Sequence, residues 1–359
     1  MSSMKAIGLE NSTGDVNLLR EFDCCMPEVR PYDILVRVVA CATNPFDAIM
    51  RTNFGQPGPL TEPKILGYDG AGVVEACGSQ TRLGFSKGDR VYLSGCHLRN
   101  GTNAEFVAVD ERLVGRVPSS ISLTKAASLP LTLITAWESL FEICRIPLKP
   151  PSAADSTPQK RLLVLPGAGG TGSFAIQLGK LASLHVVATA SRPESMKACR
   201  DLGADLVINH REPLKPQLEA AGLPGDNCIN YIFNGFDISS NFDEYVEVLA
   251  PMGIIVDIAV SSFAVPTMKL LMKRLTYAAE FMMVRAAFEE EMEKHGEALN
   301  YASHLIEEGK LTLPSITVLP WSAESLQQMH KMQASGTTIG KLVMTRETAE
   351  QSKPSWSGA

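Results

Sequence analysis

The chain reads as an α/β protein: a doubly wound parallel sheet joined to a second, β-rich part. Three observations predict this. After Arg161, short apolar runs alternate with segments of helical spacing, and several runs are apolar throughout, as strands become when helices cover both sheet faces. The first of these runs, "RLLVLPG", passes into a burst of glycines and then into a helical pattern. Residues 4–120 instead carry strand-like runs densely punctuated by Gly and Pro.

The elements follow in order. "ILVRVVACATN" and "AGVVEACG" are strand-like, and "KGDRVYL" ends at Gly95. From about Ala126 the texture changes, and "LTLITAWESLFEICR" has helical spacing. "IPLKPPSAADSTPQK" reads as an exposed connection between domains. Then strand "RLLVLPG" precedes a helix over 170–181, and "HVVATAS" a helix over 194–202. "DLVINH" leads into a variable polar stretch; "NYIFNG" precedes a helix over 242–249, and "GIIVDIA" follows. Beyond Glu289 come a long helix, β-like "LPSITVLPW", a helix over 322–334 and the closing "GKLVMT". The polar tail after Arg346 has no periodicity and is expected to be disordered.

Composition narrows the function classes. The 359 residues suit two domains, with 45% hydrophobic and 20% charged residues. A net charge of -6 leaves no overall basic field for nucleic acid or an anionic membrane. No apolar run approaches the ~20 residues of a membrane span, and no secretory signal is expected at "MSSMKAIGLENS". Eight scattered cysteines without a C-x-x-C pair read as reduced thiols, so a cytoplasmic protein is expected.

Gly167, Gly169 and Gly172 satisfy G-x-G-x-x-G, with Ala168, Gly170 and Thr171 completing the loop. After an apolar strand and before a helix, the first glycine permits a tight turn, the second lets a pyrophosphate approach, and the third lets helix pack on strand. The helix N-terminus then offers N–H groups to phosphate. An NAD site usually has an acid at the tip of the second strand. Here that tip reads Thr189-Ala190-Ser191-Arg192. Ser191 and Arg192 suit a 2′-phosphate, so NADPH is expected over NADH. The alternative reading of Arg192 is a solvated helix-start residue, and Lys197 is a weaker candidate.

An ordered series of motifs resembles the medium-chain dehydrogenase/reductase superfamily from Met4 to about Thr345: "VACATNPFDAIMR", "ILGYDGAGVVEACG", "KGDRVYLSG", "AEFVAVDERLVGRVP", "ASLPLTLITAWESL", the glycine loop, "LGADLVINH" and "GKLVM". Within it the chain looks most like the zinc-free quinone oxidoreductases, the proteins labelled zinc-type alcohol dehydrogenase-like, and the fungal trans-acting enoyl reductases. The resemblance implies a GroES-like catalytic domain from 1–128 and 287–346, a Rossmann domain at 129–286 with the substrate in the cleft, and a tail at 347–359. A monomer or homodimer is expected, and a polyketide synthase is the implied partner if the enoyl reductase likeness holds.

The zinc enzymes of the superfamily carry a Cys two residues before the Asp of the first motif and a His-Glu pair in the second. Here Pro45, Tyr68 and Asp69 stand at those positions, and the region of the structural zinc offers only Cys96 and His97. No metal is expected, and the pocket is expected to own no cation. Without a Lewis acid, a conjugated C=C–C=O or a quinone is the easier hydride acceptor, because its charge spreads into an enolate that hydrogen bonds can hold.

The resemblance places Asn44 beside the nicotinamide, against the alternative of a helix cap before Pro45. Tyr68 would point into the cleft and donate to an oxyanion, or is an ordinary half-buried tyrosine. Thr132 and Thr135 would flank the nicotinamide, or serve helix packing. Asn234, Gly235, Ile258 and Ala259 lie at sheet carboxyl ends, where such sheets bind ligands. Lys341 resembles the family's late Gly-Lys contact near the cofactor. Phe54 stands where related enoyl reductases have a proton-donating Tyr, which leaves Tyr68, Arg51, water or solvent as the proton source. His97 reads as a loop residue or a substrate contact, and the other five histidines as structural.

Overall fold

The computed structural model describes residues 3–12, 14–52, 58–148 and 159–347. Phe54, most of the Pro- and Ser-rich connection and the tail beyond 347 lie outside these residues. The chain forms two compact units: one from the chain up to Leu131 and from Met283 onward, the other from Thr132–Met282.

The first unit holds strands β1 (Ser3–Asn11), β2 (Arg20–Cys25), β3 (Asp33–Thr43), β4 (Pro59–Ile65), β5 (Asp69–Cys77), β6 (Arg90–Leu93), β7 (Phe106–Asp110) and β8 (Val114–Arg116). The short helices α1 (Pro45–Arg51) and α2 (Leu123–Ala126) interrupt and follow them, and α3 (Pro130–Trp137) begins at the boundary. In the second unit β9 (Arg161–Leu165), α4 (Gly170–Leu181), β10 (His185–Thr189), α5 (Pro193–Asp201), β11 (Leu206–Ile208), α6 (Leu214–Ala220), β12 (Ile229–Asn234), α7 (Phe242–Val248), β13 (Leu249–Asp257), α8 (Thr267–Lys273) and β14 (Thr276–Ala279) alternate. The chain closes with α9 (Met283–Phe288), α10 (Glu293–Glu307), β15 (Ile316–Pro320), α11 (Ala323–Ala334) and β16 (Lys341–Thr345) in the first unit.

The second unit is a six-stranded sheet in the order β11-β10-β9-β12-β13-β14, parallel at every pairing. This is the doubly wound order that puts its topological switch between β9 and β12. Buried Leu163, Leu165, Val187, Ile232 and Ile255 pack against Leu218, Phe242 and Tyr245 of the covering helices. Three elements here were not read from the sequence. The "variable polar stretch" contains α6, which buries only Leu214 and Leu218; α8 buries none of its residues; and β14 is a four-residue edge strand with no buried position. Short elements with one or no apolar face carry too little periodicity to be seen.

The first unit contains a three-stranded sheet, β2-β1-β4, and a seven-stranded sheet running β15-β16-β3-β5-β6-β8, with β7 paired to β3. Ile34, Val36, Val38, Val74, Val91 and Leu93 form its core. Helix α10 buries His295, Leu299, Ala302 and Ile306 along one stripe. It sits close because Gly115 and Gly296 leave room: a Cβ on Gly115 would lie 2.5 Å from Leu299 Cβ, and one on Gly296 2.7 Å from the Arg112 carbonyl oxygen. Among the described residues no helix is long and apolar enough to cross a membrane, and all eight cysteines are free thiols.

At the start of β3, Asp33 is buried and takes two bonds from Arg99, at 2.9 and 2.6 Å, and one from the Arg30 N–H. Burial raises its carboxyl, but the Arg99 bonds and charge outweigh it, and the pKa falls below its ordinary value. A lowered carboxyl stabilises the fold above the unfolded-state pKa and loses that contribution as pH falls through the folded one. Arg99→Met is therefore expected to cost about 2 kcal/mol at pH 7 and distinctly less near pH 3, read by denaturant unfolding at both pH values.

Candidate active site

Register brings three distant motifs together at one end of the seven-stranded sheet. Strand β5 pairs with β3 so that Asp69 faces Ala42, and β16 pairs with β3 so that Leu342 faces Thr43. Asn44, Asp69 and Lys341 thus meet. The Asn44 Nδ2 donates to Asp69 Oδ2 at 2.8 Å, and the Lys341 Nζ donates to that same oxygen at 2.7 Å and to Asn44 Oδ1 at 2.6 Å. The other oxygen of Asp69 accepts from the Leu131 N–H at 2.6 Å, in the first turn of α3. All three side chains are buried. Burial pushes the Asp69 carboxyl up, and the Lys341 ammonium works against that shift.

Lys341 is a buried ammonium, so the expectation of a site without a cation is corrected. Two of its three N–H groups are engaged within the protein, by Asp69 and Asn44. The arrangement is not legible in the sequence because the pairs are 25 and 272 residues apart.

Asn44 also begins α1, with Pro45 in the first turn, where its missing N–H costs nothing. The Asn44 N–H donates to Asp47 Oδ2 at 2.8 Å, while Asp47 Oδ1 accepts from the Gly67 N–H at 3.1 Å. Burial pushes the Asp47 carboxyl up to about 7, against the pull of these two N–H groups. Tyr68 follows Gly67, whose φ of 103° lies in the region that favours glycine. The Tyr68 ring is fully buried, 5.0 Å from Phe46 and tilted 57° to it. Its hydroxyl has no hydrogen-bond partner among the described residues. Burial first, then Asp47, raises its pKa and holds it as the neutral phenol. The His97 ring stands edge-on to the same Phe46 at 6.2 Å, and burial lowers its pKa. The Arg51 guanidinium points elsewhere, donating to the Gly14 carbonyl.

In the second unit, the glycine loop lies at the carboxyl end of β9. Gly169 caps α4 with extended geometry, and a Cβ there would meet only the Pro166 ring at 3.9 Å. Gly170 and Thr171 open the helix half-buried, so this backbone is open to a ligand. Gly167 and Gly172 are required by packing. A Cβ on Gly167 would lie 2.7 Å from Cys199 Sγ, and one on Gly172 2.0 Å from the Pro166 carbonyl oxygen. The tight-turn reason expected for Gly167 is thus replaced by close approach to α5. Ala168 is buried beside it. The loop suits a dinucleotide pyrophosphate: open glycine backbone at the N-terminus of a 12-residue helix.

Ser191 and Arg192 are half-buried at the tip of β10, where Arg192 caps α5 and Pro193 follows. Lys197 is paired to Asp201 at 2.5 Å on the exposed helix face. Asn234 spends its side chain internally: Nδ2 donates to Phe236 and Asp257, and Oδ1 accepts from the Tyr245 hydroxyl at 2.9 Å. Any ligand contact there falls to backbone, as at half-buried Gly235, Ile258 and Ala259. Thr132 and Thr135 are buried on α3, one turn apart. His210, read from sequence as structural, lies just past β11 at the same carboxyl ends, its Nδ1 3.3 Å from Thr189 Oγ1 and its ring 4.9 Å from Phe236. It helps line a cavity of about 370 Å³ with Leu165, Phe236, Asn241 and Tyr245.

The superfamily's catalytic zinc does not fit these residues. Proline cannot ligate, the tyrosine is buried as a neutral phenol, and the Asp69 carboxylate is consumed by three donors. Among the described residues no group of three or more His, Cys, Asp or Glu is placed to hold a metal ion.

Fold and sites together are those of a two-domain, nucleotide-binding dehydrogenase. Residues 30–119 match the alcohol dehydrogenase GroES-like domain, and residues 170–296 match the zinc-binding dehydrogenase family. A zinc-type alcohol dehydrogenase-like protein of Staphylococcus epidermidis is 34% identical over 346 residues, covering 95% of this chain and 99% of its own. The crystal structure of a Rhizobium etli CFN 42 protein named for the zinc-dependent alcohol dehydrogenases superposes with a TM-score of 0.86 at 37% identity, covering 97% of this chain and 99% of that one. An NADPH-dependent alkenal/one oxidoreductase of Arabidopsis thaliana is 36% identical over 206 residues, covering 55% of this chain and 50% of its own. The chain belongs to the medium-chain dehydrogenase/reductase superfamily of oxidoreductases.

Removing one partner of a buried pair costs more than the pair contributes. Lys341→Met is expected to destabilise by roughly 3–5 kcal/mol at pH 8. The loss should shrink toward pH 5, because a carboxyl whose folded pKa is raised weakens the fold only when ionised. Denaturant titrations at the two pH values test both sign and size.

Proposed function

We propose that this protein is an NADPH-dependent, metal-independent reductase of an activated carbon–carbon double bond or a quinone. Enones and enoyl thioesters are the substrate class. The observation that carries this reading is the fate of the ligand positions: Pro45 and Tyr68 stand at two of them, and the third, Asp69, binds an ammonium and two N–H groups. A simple ketone needs strong stabilisation of a localised alkoxide. An enone spreads the charge into an enolate, which hydrogen-bond donors suffice to hold. The partial likeness to the alkenal/one oxidoreductase supports both the acceptor and the cofactor.

Bound NADPH would supply the hydride. Gly167, Ala168, Gly169, Gly170, Thr171 and Gly172 would hold its pyrophosphate against the start of α4, and Ser191 and Arg192 its 2′-phosphate. Thr132 and Thr135, with backbone at Asn234, Gly235, Ile258 and Ala259, would orient the nicotinamide half. Asn44 would donate to the ribose or the substrate carbonyl. Tyr68, a neutral phenol with an unpaired buried hydroxyl, would donate to the developing oxyanion. An unmet buried donor costs about 1–3 kcal/mol, and a substrate oxygen relieves that cost.

Turnover of an α,β-unsaturated ketone with NADPH should give the saturated ketone by mass spectrometry; an allylic alcohol as the main product contradicts the reading. For the cofactor, Arg192→Ala should weaken NADPH binding by at least ~10-fold and leave NADH nearly unchanged in calorimetry. Equal loss of both would remove Arg192 from the phosphate site.

A further inference from the structure

We propose that Asp69 is a positioning residue that joins Asn44 and Lys341 into one donor pair, whose buried ammonium helps hold the oxyanion of the reduced substrate. The inference rests on the reductase reading and gives it an electrostatic device. A count of donors supports it. Asn44 Nδ2 carries two N–H groups and gives one to Asp69. Lys341 carries three and gives one to Asp69 and one to Asn44 Oδ1. Each group therefore keeps one N–H with no acceptor among the described residues. Both nitrogens are tied to the same Asp69 oxygen, at 2.8 and 2.7 Å, so they neighbour one another.

The Asn44 carboxamide is also fixed in sense. Its oxygen must face the ammonium and its nitrogen the carboxylate, because the reverse would set donor against donor and acceptor against acceptor. Through its second oxygen Asp69 holds the Leu131 N–H, immediately before Thr132. One carboxylate thus fixes Asn44, Lys341 and the Leu131 N–H. A fixed positive group in a water-poor site stabilises charge that appears only in the transition state. An ammonium held in place can do this where no metal ligand set exists. Asp69 touches no reacting atom in this scheme, whereas Asn44 and Lys341 do.

The experiment compares Asn44→Ala, Asp69→Asn, Asn44→Ala/Asp69→Asn and Asp69→Asn/Lys341→Met with wild type. The last variant removes both charges, so the device can be disabled without leaving an uncompensated buried ion. Thermal melts first establish folding; calorimetry then gives the NADPH Kd, and single-turnover NADPH oxidation with an enone gives the rate of hydride transfer. Kd is expected to hold within about twofold in Asp69→Asn, while the rate falls about 100-fold in Asp69→Asn and in the charge-free double variant. Because Asp69 acts through Asn44 as well as through Lys341, the loss in Asn44→Ala/Asp69→Asn should be smaller than the product of the two single losses. A folded charge-free variant with wild-type rate, fully multiplicative losses, or a Kd of Asp69→Asn that weakens in step with its rate would overturn the proposal. A wild-type protein that binds NADPH but reduces no enone or quinone takes down the reductase reading and this inference together. A wild type that turns over while the variants behave like it takes down the inference alone.

Discussion

The first unit is organised around a buried carboxylate. Asp69 is wholly inside, yet it accepts from a carboxamide, an ammonium and a main-chain N–H. Burying an ion without such partners would cost several kcal/mol. The partners come from the ends of β3 and β16 and the first turn of α3. The antiparallel register of β5 and β16 on β3 is what delivers them. A slip of one residue would turn Asp69 to the other face and leave Lys341 buried and unpaired. The polar cluster and the sheet register therefore specify one another.

The second unit solves a different problem by subtraction. A phosphate needs main chain within hydrogen-bonding reach, and each Cβ in the loop would keep it away. Gly169 is open to ligand, whereas Gly167 and Gly172 are pressed against α5 and the preceding strand. Their hydrogens are the only side chains the packing allows. Cys199 is the residue that Gly167 approaches, and burial pushes its thiol up to about 11, so it acts as a small apolar filler. The loop is shaped from beneath by packing and left bare above.

The two units also differ in how their polar groups are used. Asn234 looked as available as Asn44 in sequence, since both follow a strand. One is saturated by Tyr245, Asp257 and Phe236; the other keeps a donor to spare. Tyr68 and Tyr245 make a similar contrast, the first hydroxyl without a partner among the described residues and the second bonded to Asn234. Residual hydrogen-bonding capacity, more than residue type, separates groups that can meet a ligand from groups that hold the fold.

The sequence by itself determined the alternation of apolar strands and helices and the glycine loop in its strand–loop–helix setting, while the family resemblance implied the replacement of metal-ligand types at Pro45, Tyr68 and Asp69. These signals are local: periodicity, spacing and side-chain chemistry are readable within about 20 residues. Short α6, α8 and β14 escaped because they bury little or nothing. The Asn44–Asp69–Lys341 cluster escaped for another reason: its members meet only through strand register across hundreds of residues. Only the tertiary structure decided that Lys341 is a buried cation, that Gly167 is bare because Cys199 lies against it, and which polar groups still have a hydrogen bond to give. Each of those facts is a matter of what else occupies the surrounding space, and a linear pattern does not record that.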